Sequence, residues 1–193
     1  MSDVTTHGTA GTFHEDLEHH DHHHHGNFWT TYVFSQDHKT IAKQFLITGI
    51  LMAVLGIGMS LLFRLQLAFP DTQFAILEIL LGSKWAPGGQ LSPDFYLALE
   101  TMHGTFMEFF VLTAGLSGTF SNFLIPLQIG ARDMASGFIN MLSYWFFAAS
   151  CIIMISSFFV ESGPAAAGGT IFPPLSALPK AISGSGLGMT LWL

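Results

Sequence analysis

The chain has 193 residues, of which 50% are hydrophobic and only 10% are charged. A soluble domain carries roughly one quarter charged residues, so this composition excludes an ordinary soluble protein and predicts a membrane protein. The formal charge of −7 gives no sign of nucleic-acid binding. The single cysteine, Cys151, excludes an internal disulfide and any metal site built from several cysteines.

Residues 1–27 are polar and acidic, and eight of the ten histidines precede residue 26. This stretch has neither the apolar segment nor the cleavage site of a signal peptide. Its composition predicts a disordered, solvated tail, although the run from His22 to His25 is of a type that binds transition metals weakly. In residues 28–43 aromatic side chains alternate with polar and basic ones, which is typical of a segment at the membrane surface.

The first membrane span is predicted at about residues 41–63, because roughly 20 apolar residues are enough to cross a bilayer. Small residues recur along it at intervals of four, three and four positions: Gly49, Ala53, Gly56 and Ser60. This spacing favours close packing against a neighbouring helix. Arg64 ends the span, where an arginine commonly extends its guanidinium group to the lipid headgroups.

The second span, about residues 95–125, places His103 within its apolar part. An ionisable side chain at that depth is costly unless it faces the bundle interior, a partner or a metal. Two interpretations stay open on these residues alone. One is an interhelical hydrogen bond, and the other is ligation of haem or copper by neutral imidazole. Glu100 and Glu108 lie on the same helix, without a metal-binding spacing to His103.

Residues 74–82, between the first two spans, are apolar but too short to cross, which indicates a helix at the membrane surface. The third span is predicted at about residues 138–160. Asn140, Ser143 and Ser150 fall on one side of its helical wheel, where such groups bind neighbouring helices or line a file of water.

Residues 161–186 are rich in glycine, proline and serine, which predicts a structured loop outside the membrane. A new apolar run begins at residue 187 and is too short to span as it stands. The elements together predict an all-α polytopic membrane protein with three transmembrane helices and the start of a fourth. We expect the sequence to be a fragment of a longer protein.

Six motifs, in one order along the chain, resemble the catalytic subunit of haem-copper terminal oxidases, the cytochrome c oxidase subunit 1 family. They are FSQDHKTIAKQFL (34–46), SLLFR (60–64), TMHGTFMEFF (101–110), SNFLIPLQIGARDMA (121–135), NMLSYW (140–145) and the pair ESG (161–163) and FPPLS (172–176). Together they extend over nearly all of residues 34–176. The resemblance implies that residues 28–193 are the N-terminal part of the family's twelve-helix bundle.

The resemblance also implies roles for individual residues. His103 matches an axial ligand of the low-spin haem, normally haem A, and Arg64 matches the arginine that hydrogen-bonds the formyl group of that haem. Asp133 matches the acid at the mouth of the D proton channel. Three further residues match polar positions along that channel: Asn122, Asn140 and Ser143. A high-spin haem and a copper centre are expected to be bound by the part of the family's sequence beyond residue 193.

Several positions depart from the family's usual pattern. Where the family reads GAPDMAFPR, this chain reads GARDMASGF (130–138), so that Arg132 adjoins Asp133 and should favour its ionised form. Gln66 replaces a common glutamate, which leaves a calcium or sodium site often found there without its usual carboxylate. Phe45 replaces a common tyrosine, and Gly169 a common tryptophan.

The implied function is that of a respiratory terminal oxidase, which reduces oxygen to water coupled to proton pumping, with electrons from cytochrome c. Two alternatives stay open: a quinol oxidase of the same superfamily, and a non-catalytic haem-binding membrane module. The 193-residue piece alone is not expected to be catalytic.

The implied partners are oxidase subunit 2, further small membrane subunits, cytochrome c or another electron donor, a respiratory supercomplex and the lipid membrane, with no nucleic acid. Loop charges divide equally between the two sides and give no orientation, whereas the family places the N-terminus in the cytoplasm. The sequence of residues 176–189 resembles that of bacterial members of the family, which implies a multi-pass protein of the bacterial inner membrane.

Overall fold

The computed structural model describes residues 28–168, 172–173 and 187–193. The disordered tail predicted for residues 1–27 lies outside these residues, as does most of the loop predicted for 161–186, including Gly169. Residues 28–34 belong to a unit separate from the rest of the chain. They contain a short π-type helix at Trp29–Val33, where the ring of Phe28 contacts those of Trp29 and Tyr32.

The second unit begins at Ser35, and its regular elements among the described residues are all helical. They are α1 (His38–Ala68), α2 (Ala75–Leu81), α3 (Pro93–Ile129), α4 (Gly137–Ser156) and α5 (Leu187–Trp192). Helix α1, helix α3 and helix α4 with its short 3₁₀ extension are long and apolar enough to cross a membrane. The predicted fold class, an all-α polytopic membrane protein, is thereby confirmed.

Polar caps make the spanning helices longer than their apolar cores. Helix α1 begins after Asp37, whose carboxylate accepts a hydrogen bond from the backbone N–H of Thr40 (3.0 Å) and so satisfies one free donor of the first turn. Helix α3 begins with Pro93 after the N-cap Ser92, the usual place for proline in a helix.

Pro126 and Gly130 predict a turn that ends the second span at about residue 125, but α3 continues through this proline and ends at Ile129, with Gly130 as its C-cap. Gly130 has the left-handed conformation (φ 70°), and the backbone N–H of Ala131 donates to the carbonyl of Pro126 (2.9 Å), which closes the helix end. Proline tends to stop a helix because it lacks an N–H. Here Pro126 is fully buried within the last turn.

Helix α1 is central, since it packs against both α3 and α4. Gly49, one of the small residues predicted to allow close packing, lies at this contact: a Cβ atom added to Gly115 of α3 would lie 3.0 Å from Cα of Gly49. Backbone atoms cannot yield as a flexible side chain can. The absence of side chains at both positions therefore sets the distance between α1 and α3.

Gly115→Ala is accordingly expected to lower the free energy of unfolding by about 1–3 kcal/mol, the usual range for overpacking a tight contact. Gly58→Ala is the matched control, because a Cβ atom there meets nothing within 4 Å in the described chain. Thermal denaturation of the detergent-solubilised full-length protein would measure both. Equal midpoints for the two variants would contradict the close backbone contact.

Candidate functional site

The imidazole of His103 has one nitrogen engaged and one available. Its Nδ1 atom lies 2.9 Å from the backbone carbonyl oxygen of Gly56, on the neighbouring helix α1. A carbonyl oxygen can only accept, so Nδ1 carries the hydrogen and, in the neutral ring, Nε2 carries the lone pair. The two interpretations left open by the sequence are thus compatible: one ring nitrogen makes an interhelical hydrogen bond, and the other has no partner among the described residues.

Gly56 is closely covered by side chains of α3. A Cβ atom on Gly56 would lie 2.7 Å from the sulfur of Met107, so a larger residue would require that flexible side chain to shift. The ring of Phe63 contacts the imidazole edge to face, at 5.6 Å between ring centres. Neighbours on α1 therefore restrain both the tautomer and the orientation of His103.

An open cavity of about 680 Å³ lies beside His103. Phe63, Arg64 and Glu108 are among the residues that line it, as is Gly104, where an added Cβ atom would meet nothing within 4 Å in the described chain. Cavities of roughly 300–1,000 Å³ are typical of cofactor sites. A tautomer-restrained imidazole, adjacent space and an aromatic wall are the features that haem ligation requires, so these residues fit a haem.

Arg64, predicted to contact the same haem, lines this cavity too. Arg64 is exposed, and it makes no hydrogen bond or ion pair with the described residues. The cation is therefore available to a ligand in the cavity. Gln66, by contrast, is engaged in the adjoining loop, where it donates to the carbonyl of Pro70 (3.3 Å) and accepts from the backbone N–H of Leu91 (3.1 Å).

Two threonines on α3 attach later parts of the chain next to the cavity. The hydroxyl of Thr101 accepts a hydrogen bond from the backbone N–H of Gly168 (3.1 Å), and that of Thr105 accepts one from the indole N–H of Trp192 (3.0 Å). Segment 106–116 of α3, which follows directly, has π-type hydrogen bonding. Such insertions into α-helices are frequent at functional sites.

The second group of predicted residues lies at the opposite end of α3, around Asp133. One carboxylate oxygen of Asp133 is 3.0 Å from Nδ1 of His38 and also accepts hydrogen bonds from the backbone N–H groups of His38 (3.3 Å) and Met134 (2.7 Å). His38 is 2% exposed, whereas the Asp133 side chain is 48% exposed. An accessible carboxylate is therefore held against a buried imidazole.

Burial acts to raise the pKa of the Asp133 carboxyl, but the hydrogen bonds from Met134 and His38 outweigh it, and the pKa lies below its ordinary value of 3.8. Arg132, which the sequence suggested as the charge that favours ionisation, is not among the causes. Because the folded-state pKa is lowered, this contact contributes stability above the ordinary pKa and loses it as the pH falls through the lowered value.

Two local features bring this loop against the start of α1. A Cβ atom on Gly137 would lie 2.9 Å from the carbonyl oxygen of Gln36, so the glycine permits close approach of the two segments. Asp37, the cap of α1, also lies near, with one carboxylate oxygen 3.8 Å from Nδ1 of His38. Asp37, His38 and Asp133 together place ligand-type atoms within 4.8 Å of one another, a grouping for which the hydrogen bonds account.

The remaining predicted residues lie on the two helices that leave this loop. Asn122 is 4% exposed; its amide nitrogen donates to the carbonyl of Gly118 (2.7 Å), while its oxygen has no partner among the described residues. The amide nitrogen of Asn140 is likewise buried and unpaired. Ser143 donates to the carbonyl of Asn140 within its own helix (2.7 Å). The proton-channel roles of these residues stay predictions.

Sequence reasoning overlooked His38, although it lies within a quoted motif. The partner that makes it notable, Asp133, is 95 residues away, and no local pattern reveals such a contact. It also assigned no site to Glu100 and Glu108, which both line the cavity beside His103. The contact between Thr48 and Tyr144 (3.1 Å) was also missed.

Residues 40–193 match the sequence model of the family described as Cytochrome C and Quinol oxidase polypeptide I. The Alternative cytochrome c oxidase subunit 1 of Bradyrhizobium diazoefficiens is 40% identical over 167 residues, which are 86% of this chain and 26% of the relative. Cytochrome c oxidase subunit 1 of Synechocystis is 38% identical over 152 residues, 78% of this chain and 24% of the relative.

Cytochrome c oxidase subunit 1 of Cereibacter sphaeroides is 32% identical over 191 residues, 91% of this chain and 32% of the relative. The chain thus spans between about a quarter and a third of the length of these relatives. The family match begins two residues after His38, so that Asp37 and His38 lie outside it. The other residues of the two candidate sites lie within it. This chain belongs to the cytochrome c and quinol oxidase polypeptide I family.

Proposed function

We propose that the chain is the N-terminal part of the catalytic subunit of a respiratory terminal oxidase, which reduces oxygen to water and couples this to proton pumping. The observation that carries the proposal is the imidazole of His103. Its Nδ1 donates to the carbonyl of Gly56, Nε2 has no partner among the residues that the structure describes, and His103 lines a cavity of about 680 Å³.

In this proposal His103 is one axial ligand of a low-spin haem A, and Arg64 is the donor to the formyl group of that haem. Once bound, the haem supplies one-electron transfer. The hydrogen bond from His103 to Gly56 fixes the tautomer and raises the basicity of the ligating nitrogen, as partners of metal-bound histidines generally do. A cation at Arg64 would favour the reduced form and raise the potential.

Asp133 collects protons at the aqueous edge in this proposal. Its exposed carboxylate has a lowered pKa, so it is ionised at neutral pH and releases a captured proton readily. Asn122, Asn140 and Ser143 continue the path as groups that order water. The buried, unpaired atoms of the two asparagines support this role, because buried polar groups ordinarily find a partner in the protein or in water.

The high-spin haem and the copper centre are assigned to the rest of the subunit. The proposed location is the bacterial inner membrane, with the N-terminus in the cytoplasm. The proposed partners are oxidase subunit 2 and small membrane subunits, and the complex can join a respiratory supercomplex. Cytochrome c is the proposed electron donor, since the relatives named above are cytochrome c oxidase subunits. The family description includes quinol oxidases as well, so the donor needs its own test.

The test is optical and metal analysis of the purified full-length complex, followed by oxygen consumption with two donors. We expect haem A and copper, and turnover with reduced cytochrome c but not with a ubiquinol analogue. Turnover with the ubiquinol analogue and not with cytochrome c would identify a quinol as the electron donor. The proposed oxidase function would then stand with this different donor. A preparation of the intact complex without haem would overturn the proposed function.

A further inference from the structure

Glu108 places a carboxylate close to the midpoint of a membrane span. Helix α3 runs for 37 residues, and Glu108 is the only charged side chain in the sequence between Glu100 and Arg132, with His103 counted as neutral. A charge at that depth is costly, so ionisable residues there almost always face the interior of the bundle or a water-filled cavity. An acidic side chain at this position therefore calls for a specific environment.

The cavity beside His103 supplies that environment. Glu108 lines it, and so does Gly104, which lies one helical turn earlier on the same face of α3. Gly104 is exposed, and a Cβ atom added there would meet nothing within 4 Å in the described chain. The helix face between the levels of His103 and Glu108 therefore leaves the cavity open.

The helix widens between these two residues. In a regular α-helix, side chains five positions apart point about 140° away from each other. Segment Phe106–Leu116 has π-type hydrogen bonding, which rotates the chain less per residue because each turn holds more residues. Glu108 is thereby turned towards the side of His103. Its carbonyl oxygen accepts a hydrogen bond from the hydroxyl of Thr113, five residues later (2.8 Å), in keeping with the wider turn.

The charged neighbours of Glu108 in the cavity are few. The other ionisable side chains that line it are Arg64 on α1 and Glu100 and His103 on α3, while residues 166–168, which complete the wall, have none. Neither Arg64 nor Glu108 makes an ion pair with the part of the chain that the structure describes. No fixed cation in that part thus holds Glu108 in its ionised form, and its protonation is free to follow the charge in the cavity.

We propose that Glu108 binds a proton when the haem held by His103 gains an electron, and releases it when the electron leaves. This inference rests on the proposed function, because it needs a haem in this cavity. An added electron makes the cavity more negative, and a nearby negative charge favours the neutral form of a carboxyl group. The Glu108 carboxylate takes the proton from water in the open cavity and forms an O–H bond. When the electron moves on, that bond breaks and the proton returns to water, so the net charge of the cavity is unchanged by either step.

The experiment is Glu108→Gln in the full-length oxidase. The midpoint potential of the low-spin haem is titrated at a series of pH values, and protonation of carboxyl groups is followed by redox-difference infrared spectroscopy. In the unmodified complex we expect the potential to fall as the pH rises, by at most about 59 mV per tenfold change in proton concentration for one electron and one proton. We also expect a protonated-carboxyl band that appears on reduction and shifts in D₂O. Glutamine should remove this band and reduce the pH dependence, whereas Glu108→Asp should retain both effects.

Glu78→Gln is the matched control, because it makes the same chemical change on α2, outside the spanning helices. It should leave the band and the pH dependence unchanged. A permanently ionised Glu108 would give a different result, since Glu108→Gln would then raise the potential equally at every pH without removing a carboxyl band. That result would overturn the inference.

Two further outcomes separate this inference from the proposed function. A low-spin haem whose pH dependence and infrared band are unaltered in Glu108→Gln would refute the role of Glu108 alone. An intact complex without a low-spin haem would refute the proposed function itself. Should Glu108→Gln fail to assemble, Glu108→Asp with the carboxyl band at its unmodified position would overturn the inference equally.

Discussion

His103→Ala in the full-length protein is expected to abolish the absorption band of the low-spin haem and, with it, electron transfer to oxygen. The reason is chemical: His103 lines the cavity, and because its Nδ1 donates to Gly56, Nε2 is the ring nitrogen without a partner in the described part of the chain. Alanine offers no ligand. The measurement is the reduced-minus-oxidised spectrum of the purified complex, together with its haem content.

The substitution also removes one donor to the Gly56 carbonyl, an oxygen inside α1 that keeps its backbone partner in the helix, so the loss is that of one hydrogen bond, about 0.5–1.5 kcal/mol. His103→Asn separates the two effects, because its amide can still donate near the position of Nδ1 but does not ligate haem iron as imidazole does. Both variants should lose the band. His38→Gln, at the other end of α1, is the control for loss of a histidine and should retain it. An unchanged spectrum in His103→Asn would refute the assigned ligand.

The helices were predictable because their signals are local. Spacing of Gly49 and Gly56 predicts a face for close packing, and the structure places α3 against it. The exact ends of the helices were not predictable, because apolar composition carries no information about caps. Helix α1, for example, begins directly after its cap Asp37, before the apolar run. At the other end of α3, Pro126 suggested a stop, yet a buried proline was accommodated in the last turn.

The sites were predictable only in part. Depth alone makes His103 notable, but which of its nitrogens is free depends on Gly56, 47 residues away. Arg132 adjoins Asp133 in sequence, yet His38 and Met134 lower the pKa of that carboxyl, because adjacent side chains need not point towards each other. Contacts between distant segments decide such details, and single-sequence patterns do not carry them.

Asp133→Asn is expected to slow proton uptake by about 100-fold or more, the range for removing a positioned proton-transfer group, while the haem spectra remain unchanged. Asparagine retains an oxygen that can accept from Met134 and His38, so the loop should keep its shape. What it lacks is a site that binds and releases a proton at accessible pH. The measurement is oxygen consumption with simultaneous proton ejection in reconstituted vesicles.

Asp94→Asn is the matched control, because Asp94 is an exposed carboxylate in the first turn of α3, at the opposite end of that helix. It undergoes the same chemical change and should leave uptake unaltered. If a general loss of surface charge slowed uptake, both variants would be affected alike. If Asp133→Asn consumed oxygen and ejected protons as the unmodified enzyme does, Asp133 would be an ordinary surface acid, and the hydrogen bonds from His38 would serve only to fasten the loop to α1.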